Sequence, residues 1–370
     1  MTNLISTRLK IARENSGLTQ SELAKRLGFK DRQTITAIES GQRKMSAEEL
    51  LKTINIFGVD VDYFSDPFRL VGEGQFSWRA ATDADSIHLN QFEEQAGRWI
   101  ATYRYLSKLQ GDSISPLQSR LSLNIKSSFE DARAAAESLI IEWELGEIPA
   151  LRLESSIKAN LNSLVMYVDS PDQISGAACQ MIDMNCILIN RNQAEGRRNY
   201  NLAHELFHLL TWEQMPPQYT DMEFGNKRTG KTKRTEQLAN NFASALLMPE
   251  KSLKTRWEKR ENKDIHKWLN EAACKFLVTA QAVKWRIVHL GWFSSEALDQ
   301  INNEYLVNNG RPLDEQKRPS LFCIEFVKKI YFGIDKGQLS VRKTAELLGL
   351  LLNELEDLFR SYDLPALYKT

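Results

Sequence analysis

Residues 201–210 read NLAHELFHLL, two histidines four apart with a glutamate directly after the first, among leucine, alanine and phenylalanine. An α-helix turns about 100° per residue, so His204 and His208 stand one turn apart on one face, close enough to share a ligand. Glu205 lies one step round. A helix this apolar belongs in a core, and burying two imidazoles and a carboxylate there is costly unless they have partners. The chain has only five histidines in 370 residues, so this placement of two stands out, although an HExxH pattern by itself also arises by chance. Zinc takes imidazole nitrogen readily, and Glu205 is placed to accept a proton from a polarised water, the chemistry of an HExxH helix. The bland alternative is three polar side chains satisfied inside an ordinary core.

A third ligand decides between these readings. RTEQLANNFASALLMP (234–249) is a second apolar helix, with Leu238, Phe242, Ala245 and Leu246 at helical spacing and Glu236 near its start. A carboxylate there can reach an ion held by the preceding helix. Glu213, Asp221 and Glu223 are the substitutes, and a solvated first-turn glutamate favoured by the helix dipole is the alternative for Glu236.

Outward from these helices, SLVMYVDS, GAACQMID and NCILINRN are short, β-rich and separated by turn signals, which predicts three strands. Residues 87–147 have helical spacing. DPFRLVGEGQFSWRAATDADS (66–86) suits a linker, and MPPQYTDMEFGNKRTGKTKR (215–234), with its Pro, Gly and Lys, a polar loop.

Strand-like NCILINRN, then RRNYNLAHELFHLL, then EQLANNFASALLMP, and later FLVTAQAVKWRIVHLGW, resemble the ImmA/IrrE family of metallopeptidases over about residues 127–292. The resemblance implies a zincin-like peptidase fold and a Zn2+ cofactor, with His204, His208 and Glu236 as ligands and Glu205 as catalytic base. Amide hydrolysis also needs an oxyanion donor, for which Tyr200, Tyr219, His266 and His289 stand as candidates.

The N-terminal stretch from Leu9 to Val59 resembles the Xre/Cro-type helix-turn-helix family. Leu9, Ile11, Ala12, Leu18, Leu23, Ala24, Leu27, Ile35, Ile38, Leu50, Leu51 and Ile54 supply the core of a small bundle. Thr19 and Glu22 form a capping box, and Gly28 ends the helix they start. Residues 1–44 hold nine basic and four acidic side chains, an excess hidden by the whole-chain balance of 48 against 48, and one suited to phosphate contact. The resemblance implies that Gln20 meets a phosphate and that Arg32, Gln33, Thr34 and Thr36 face base edges, with Arg43 in the same basic face. GFKDRQTIT carries one residue more than the commonest pattern in its turn, which blurs which of Lys30 to Gln33 faces the groove. Near the C-terminus, Ser340, Ala345, Leu348 and Gly349 resemble a second helix-turn-helix. The acidic helix after it reads as a packing or dimerisation module.

The expected fold is therefore mainly α with a small sheet of about three strands (α+β). It comprises a five-helix helix-turn-helix bundle at 1–66, a linker and connecting helices at 67–126, the peptidase domain at 127–300 and a C-terminal helical unit at 301–370. Cys179, Cys186, Cys274 and Cys323 form no CxxC pair and read as reduced core thiols. Neither a secretory signal nor a long apolar run occurs, so the expectation is a cytoplasmic, non-membrane, homodimeric regulator on a double-stranded DNA operator. Its peptidase would cut a helix-turn-helix repressor or its own chain, with the linker 66–90 as the self-cut site. The alternatives are a non-hydrolysing repressor or antitoxin-like sensor, and the toxin component of a two-gene system.

Overall fold

The computed structural model describes residues 4–80, 86–112, 115–116, 120–217, 220–222, 230–260, 264–293, 298, 301–312 and 314–365. Their contacts divide the chain into two compact units, one of Met1–Gly74, Gln91–Asp112 and Phe332–Leu355, the other of Gln75–Asn90, Ser113–Tyr331 and Glu356–Thr370. Mainly helical structure with one small sheet is what the sequence predicts.

The first unit opens with five helices, α1 (Leu4–Asn15), α2 (Gln20–Leu27), α3 (Gln33–Glu39), α4 (Ala47–Phe57) and α5 (Asp62–Ser65). Leu9, Leu23, Ala24, Leu27, Ile35, Ile38 and Phe64 form their core. Leu51, expected in that core, is 61% exposed, because the buried stripe of α4 runs through Leu50, Thr53 and Ile54 instead. The capping box at Thr19 and Glu22 forms, and Gly28 closes α2 at φ 80°, a left-handed conformation that glycine adopts without steric cost. Arg8 is fully buried. It donates to the carbonyls of Tyr63 (2.8 Å) and Asp66 (2.9 Å) and pairs with Glu73, which ties α1 to the chain leaving α5. The same unit holds most of α6 (Ser86–Gln110), whose Gln95 and Trp99 donate to the carbonyls of Leu347 and Leu348. Those two residues end the short helix Val341–Leu348, capped by Ser340 and closed by Gly349.

The second unit is built on a five-stranded mixed sheet of order β2-β4-β3-β1-β5. The expected strands are β2 (Leu164–Val168), β3 (Ile174–Met181) and β4 (Asn185–Asn190), with β2 parallel and β3 antiparallel to β4. Two more strands come from segments that read as linker and loop, β1 (Gly74–Ala80) and β5 (Thr220–Met222), paired in parallel with Arg79 opposite Asp221.

On the sheet pack α8 (Leu153–Leu161), against β2, and α9 (Glu195–Thr211), against β3 and β4; α10 (Gly230–Leu247) packs on α9 and on α7 (Phe129–Glu142), and α11 (Glu250–Glu258), α12 (Ile265–Phe276) and α13 (Ala280–His289) complete the unit. α9 is buried almost all round, from Asn201 to Thr211, as an apolar helix sandwiched between a sheet and other helices must be. Gly196 sets its position: a Cβ there would sit 2.5 Å from the Val278 carbonyl carbon and 2.9 Å from the Gly310 nitrogen. Only glycine lets the start of α9 lie that close to two other backbones.

The four cysteines are free thiols. Among the described residues no helix is long and apolar enough to cross a membrane.

Candidate functional site

α9 and α10 pack side by side in the core of the second unit. Leu202, Leu206, Phe207 and Leu210 of α9 and Leu238, Phe242 and Leu246 of α10 are all buried there, so the remaining faces of the two helices bring His204, His208 and Glu236 together. All three are buried, at 1%, 0% and 4% exposure. The solvated alternative for Glu236 is thereby removed: it sits in the second turn of α10 with its carboxylate turned inward. His204 Nε2 lies 3.0 Å from His208 Nε2 and 3.2 Å from Glu236 Oε2, and His208 Nε2 lies 3.3 Å from Glu236 Oε1.

The tautomer follows from the surroundings. His204 Nδ1 is 3.2 Å from Asn240 Oδ1, an acceptor, so Nδ1 carries the hydrogen and the Nε2 lone pair faces His208 and Glu236. Asn240 is itself held, since the Tyr200 hydroxyl donates to its backbone carbonyl at 3.1 Å. Burial first, and then the Arg79 guanidinium, hold His204 down to about 3 against the pull of Glu236. Burial opposes charge on Glu236, but attraction to His208 and His204 outweighs it and keeps the carboxyl well below the usual range. Two imidazole nitrogens and a carboxylate converging in a dry core call for a shared positive charge, which a shared proton or a divalent cation supplies.

The spacing passes a second test. Ligand bonds of ~2.0–2.1 Å in tetrahedral zinc put neighbouring donor atoms ~3.3–3.4 Å apart, and the three donors here are 3.0, 3.2 and 3.3 Å apart. The donor set of two imidazoles and one carboxylate suits zinc and leaves a fourth position for water. Among the described residues these three are the one cluster able to hold an ion in this way.

Glu205 is 1% exposed beside them. Of the substitute ligands, Glu213 is exposed in an ion pair with Arg120, Asp221 is described only through its backbone on β5, and Glu223 lies outside the described residues. Of the oxyanion candidates, Tyr200 adjoins His204 through Asn240, and burial pushes its hydroxyl up to about 12, so it remains a protonated donor. His289 lines a neighbouring pocket together with Tyr200 and Asn240. His266 is engaged elsewhere, accepting from the Asn302 backbone at 3.1 Å, and Tyr219 lies outside the described residues. Sequence reasoning missed Arg79, whose guanidinium carbon is 5.8 Å from the Tyr200 ring centre. A lone arginine in a strand carries no motif that would have flagged it.

In the first unit, Arg32 and Gln33 are exposed at the start of α3. Gln20 and Thr36 are tied to the protein itself: Thr36 Oγ1 donates to Gln20 Oε1 (3.0 Å), and Gln20 Nε2 to Glu39 (2.9 Å). Glu39 also receives two bonds from Arg13, at 2.6 and 3.1 Å. The four side chains lock α2 against α3. The Thr34 backbone amide donates to Asp31 (3.2 Å), and Arg43 forks onto Glu49 at 2.6 and 3.2 Å above the Phe29 ring.

Fold and site together define a helix-turn-helix protein with a metallopeptidase-type second part. Residues 9–64 match the family model of the helix-turn-helix, and residues 159–288 that of the IrrE N-terminal-like domain of the M78 peptidase family, so both domains foreseen in the sequence are present on one chain. No curated protein matches it. Among solved structures it is similar to Bacillus thuringiensis PlcR in complex with the peptide PapR7 and DNA, at 12% identity over 98% of this chain and 93% of that one, with a TM-score of 0.16. A PrgX/cCF10 complex gives 12% identity over 97% and 93%, also at 0.16. Scores this low carry nothing about function.

Proposed function

We propose that the chain is a cytoplasmic DNA-binding regulator whose second part is a zinc-dependent endopeptidase. The observation that carries this reading is the convergence of three buried donor atoms at 3.0–3.3 Å, two on one helix and the third on the next. His204, His208 and Glu236 would hold the ion, with Asn240 fixing the first imidazole from behind, as a hydrogen-bond partner on the far ring nitrogen does in zinc sites. Zinc bound there supplies Lewis-acid polarisation of a carbonyl and makes water a usable nucleophile near neutral pH. Glu205, one step round the helix, would take the proton from the attacking water and pass it to the leaving amine. Of the oxyanion candidates, Tyr200, linked to His204 through Asn240, would donate to the developing oxyanion by turning its protonated hydroxyl from the Asn240 carbonyl.

Arg32 and Gln33 are the proposed base readers, being exposed at the head of α3. Gln20 and Thr36 act chiefly by fixing α2 against α3, while Thr34 and Arg43 complete the face toward the backbone. DNA held as a two-fold site by a homodimer, and a helix-turn-helix repressor or the chain itself as protein substrate, complete the reading. Within 66–90, the proposed self-cut site, 74–80 form the paired strand β1 and 86–90 begin α6, which leaves 66–73 and 81–85 for cleavage, the latter outside the described residues.

The test uses full-length protein loaded with zinc and incubated with candidate repressors and alone, with a chelator control. Cleavage is expected, lost on chelation and in Glu205→Gln, which retains metal. Regulation that survives Glu205→Gln unchanged, with no cleavage in any mixture, would replace the peptidase by a non-hydrolysing sensor. For the DNA role, Arg32→Ala with Gln33→Ala should abolish specific gel shift, and unchanged specific binding would discard those readers.

A further inference from the structure

Beside the triad, inside the same unit, lies a pocket of 380 Å³, at the small end of the ~300–1,000 Å³ typical of ligand pockets. β1 contributes Arg79, α9 Arg197 and Tyr200, α10 Asn240, and α13 Gln281 and Trp285. Asn240 holds His204 and Tyr200 holds Asn240, so whatever fills the pocket lies next to the support of the first metal ligand. Two guanidiniums line it, and among its described lining residues none is acidic. Thr279, Gln281 and Ala282, from the N-terminal end of the ten-residue α13, line it as well, and that end of a helix is its positive end. Trp285, 47% exposed, offers an apolar face beside these polar groups.

We propose that this pocket recognises a carboxylate. On the peptidase reading, which the proposal deepens, the carboxylate is the side chain of an aspartate or glutamate of the protein to be cut, seated beside the bond presented to the metal centre. Arginine matches a carboxylate with two parallel hydrogen bonds and remains charged at any physiological pH. The amide groups of Asn240 and Gln281 add neutral donors, and the aliphatic stem of the acidic residue lies on Trp285. The volume admits one or two side chains and no folded domain, so the recognised acid belongs to an extended segment. A free dicarboxylic acid offers the same chemistry, and the experiment separates the two sources.

Full-length Glu205→Gln protein, loaded with zinc, is titrated by fluorescence anisotropy with labelled alanine-based hexapeptides carrying one glutamate at each position in turn, and with twins carrying glutamine. Glutarate is the free-acid probe and competes against the best peptide. At least one glutamate peptide should bind about tenfold or more tightly than its glutamine twin, the discrimination expected of charge-assisted bonds. Arg197→Gln and Arg79→Gln, each shown to be folded by circular dichroism, should erase that difference, and Arg197→Glu should shift the preference to a lysine twin. Glutarate binding as tightly as the best peptide supports the pocket chemistry and assigns it to a small acid. Equal binding of the twins, no binding by either, or a difference that survives both arginine variants overturns the proposal. Repeating the series on metal-free protein separates the two readings: discrimination that persists there stands even where hydrolysis has failed.

Discussion

Asn240→Ala perturbs the metal centre without touching a ligand. The Asn240 Oδ1 accepts from His204 Nδ1 at 3.2 Å and, at 3.4 Å, from the Tyr200 hydroxyl, whose shorter bond of 3.1 Å to the backbone carbonyl survives the substitution. Removing the side chain leaves a ring N–H at a 1% exposed histidine without its acceptor, a loss of about 1–3 kcal/mol. It also frees the imidazole to rotate and to exchange tautomers. Outer partners of metal-bound histidines are worth about 10–100-fold in metal affinity, or roughly 1.4–2.8 kcal/mol, and the two figures agree. Zinc affinity read by competition with a chromophoric chelator should therefore fall by about one to two orders of magnitude. Asn240→Asp, which keeps an acceptor at the same atom, should restore it to the parent value or above. An Asn240→Ala protein that is folded and binds zinc within about twofold of the parent, a difference of only ~0.4 kcal/mol, would refute the assigned tautomer and with it the orientation of the first ligand.

Other outcomes follow from the same structure. Gly196→Ala places a methyl 2.5 Å from the Val278 carbonyl carbon, so α9 must shift; overpacking of this kind costs about 1–3 kcal/mol, and a melting transition unchanged by calorimetry would show that the approach is looser than described. Glu39→Ala removes the Arg13 pair at 2.6 Å and the Gln20 bond at 2.9 Å, leaving Arg13 only Glu14 and the Leu18 carbonyl, at a cost of about 1–3 kcal/mol; hydrogen exchange in α2 and α3 should accelerate, whereas parent-like protection would deny the lock between them. Metal-free protein should lose stability on acidification. His204 is neutral in the fold down to about 3, the unfolded imidazole binds its proton near ~6.5, and the unfolded state therefore gains protons over that window while the folded state does not. Urea midpoints of the metal-free chain that stay flat from neutral pH into that window would contradict this.

Much of the fold was legible because its signals are long and regular. The apolar spacing of residues 201–210 and 234–249 marks two buried helices, and three runs of β-branched and small residues mark β2, β3 and β4. The closeness of His204 and His208 was legible because residues four apart on a helix share a face, whereas the arrival of Glu236 beside them depends on how α10 packs on α9. β1 escaped notice since GQFSWRA interrupts its alternation with Gly, Ser and Ala and sits between polar connections, and the three-residue β5 is too short for any period to show. Their pairing is a long-range event that places Arg79 near the site, and no local pattern encodes it. Leu51 was misplaced because α4 carries more apolar residues than its buried stripe needs. Gln20 and Thr36 look like DNA contacts on their own helices; only the crossing of α2 and α3 reveals that they bond one another and Glu39.

Zinc titration of metal-stripped parent and Glu236→Gln protein, read by X-ray absorption at the zinc edge, bears on the whole reading at once. One ion per chain is expected in the parent, with two imidazole nitrogens and light oxygen ligands around it, and affinity should collapse in the variant. Identical uptake and an identical spectrum in Glu236→Gln would mean that the ion, wherever it sits, is not held between α9 and α10.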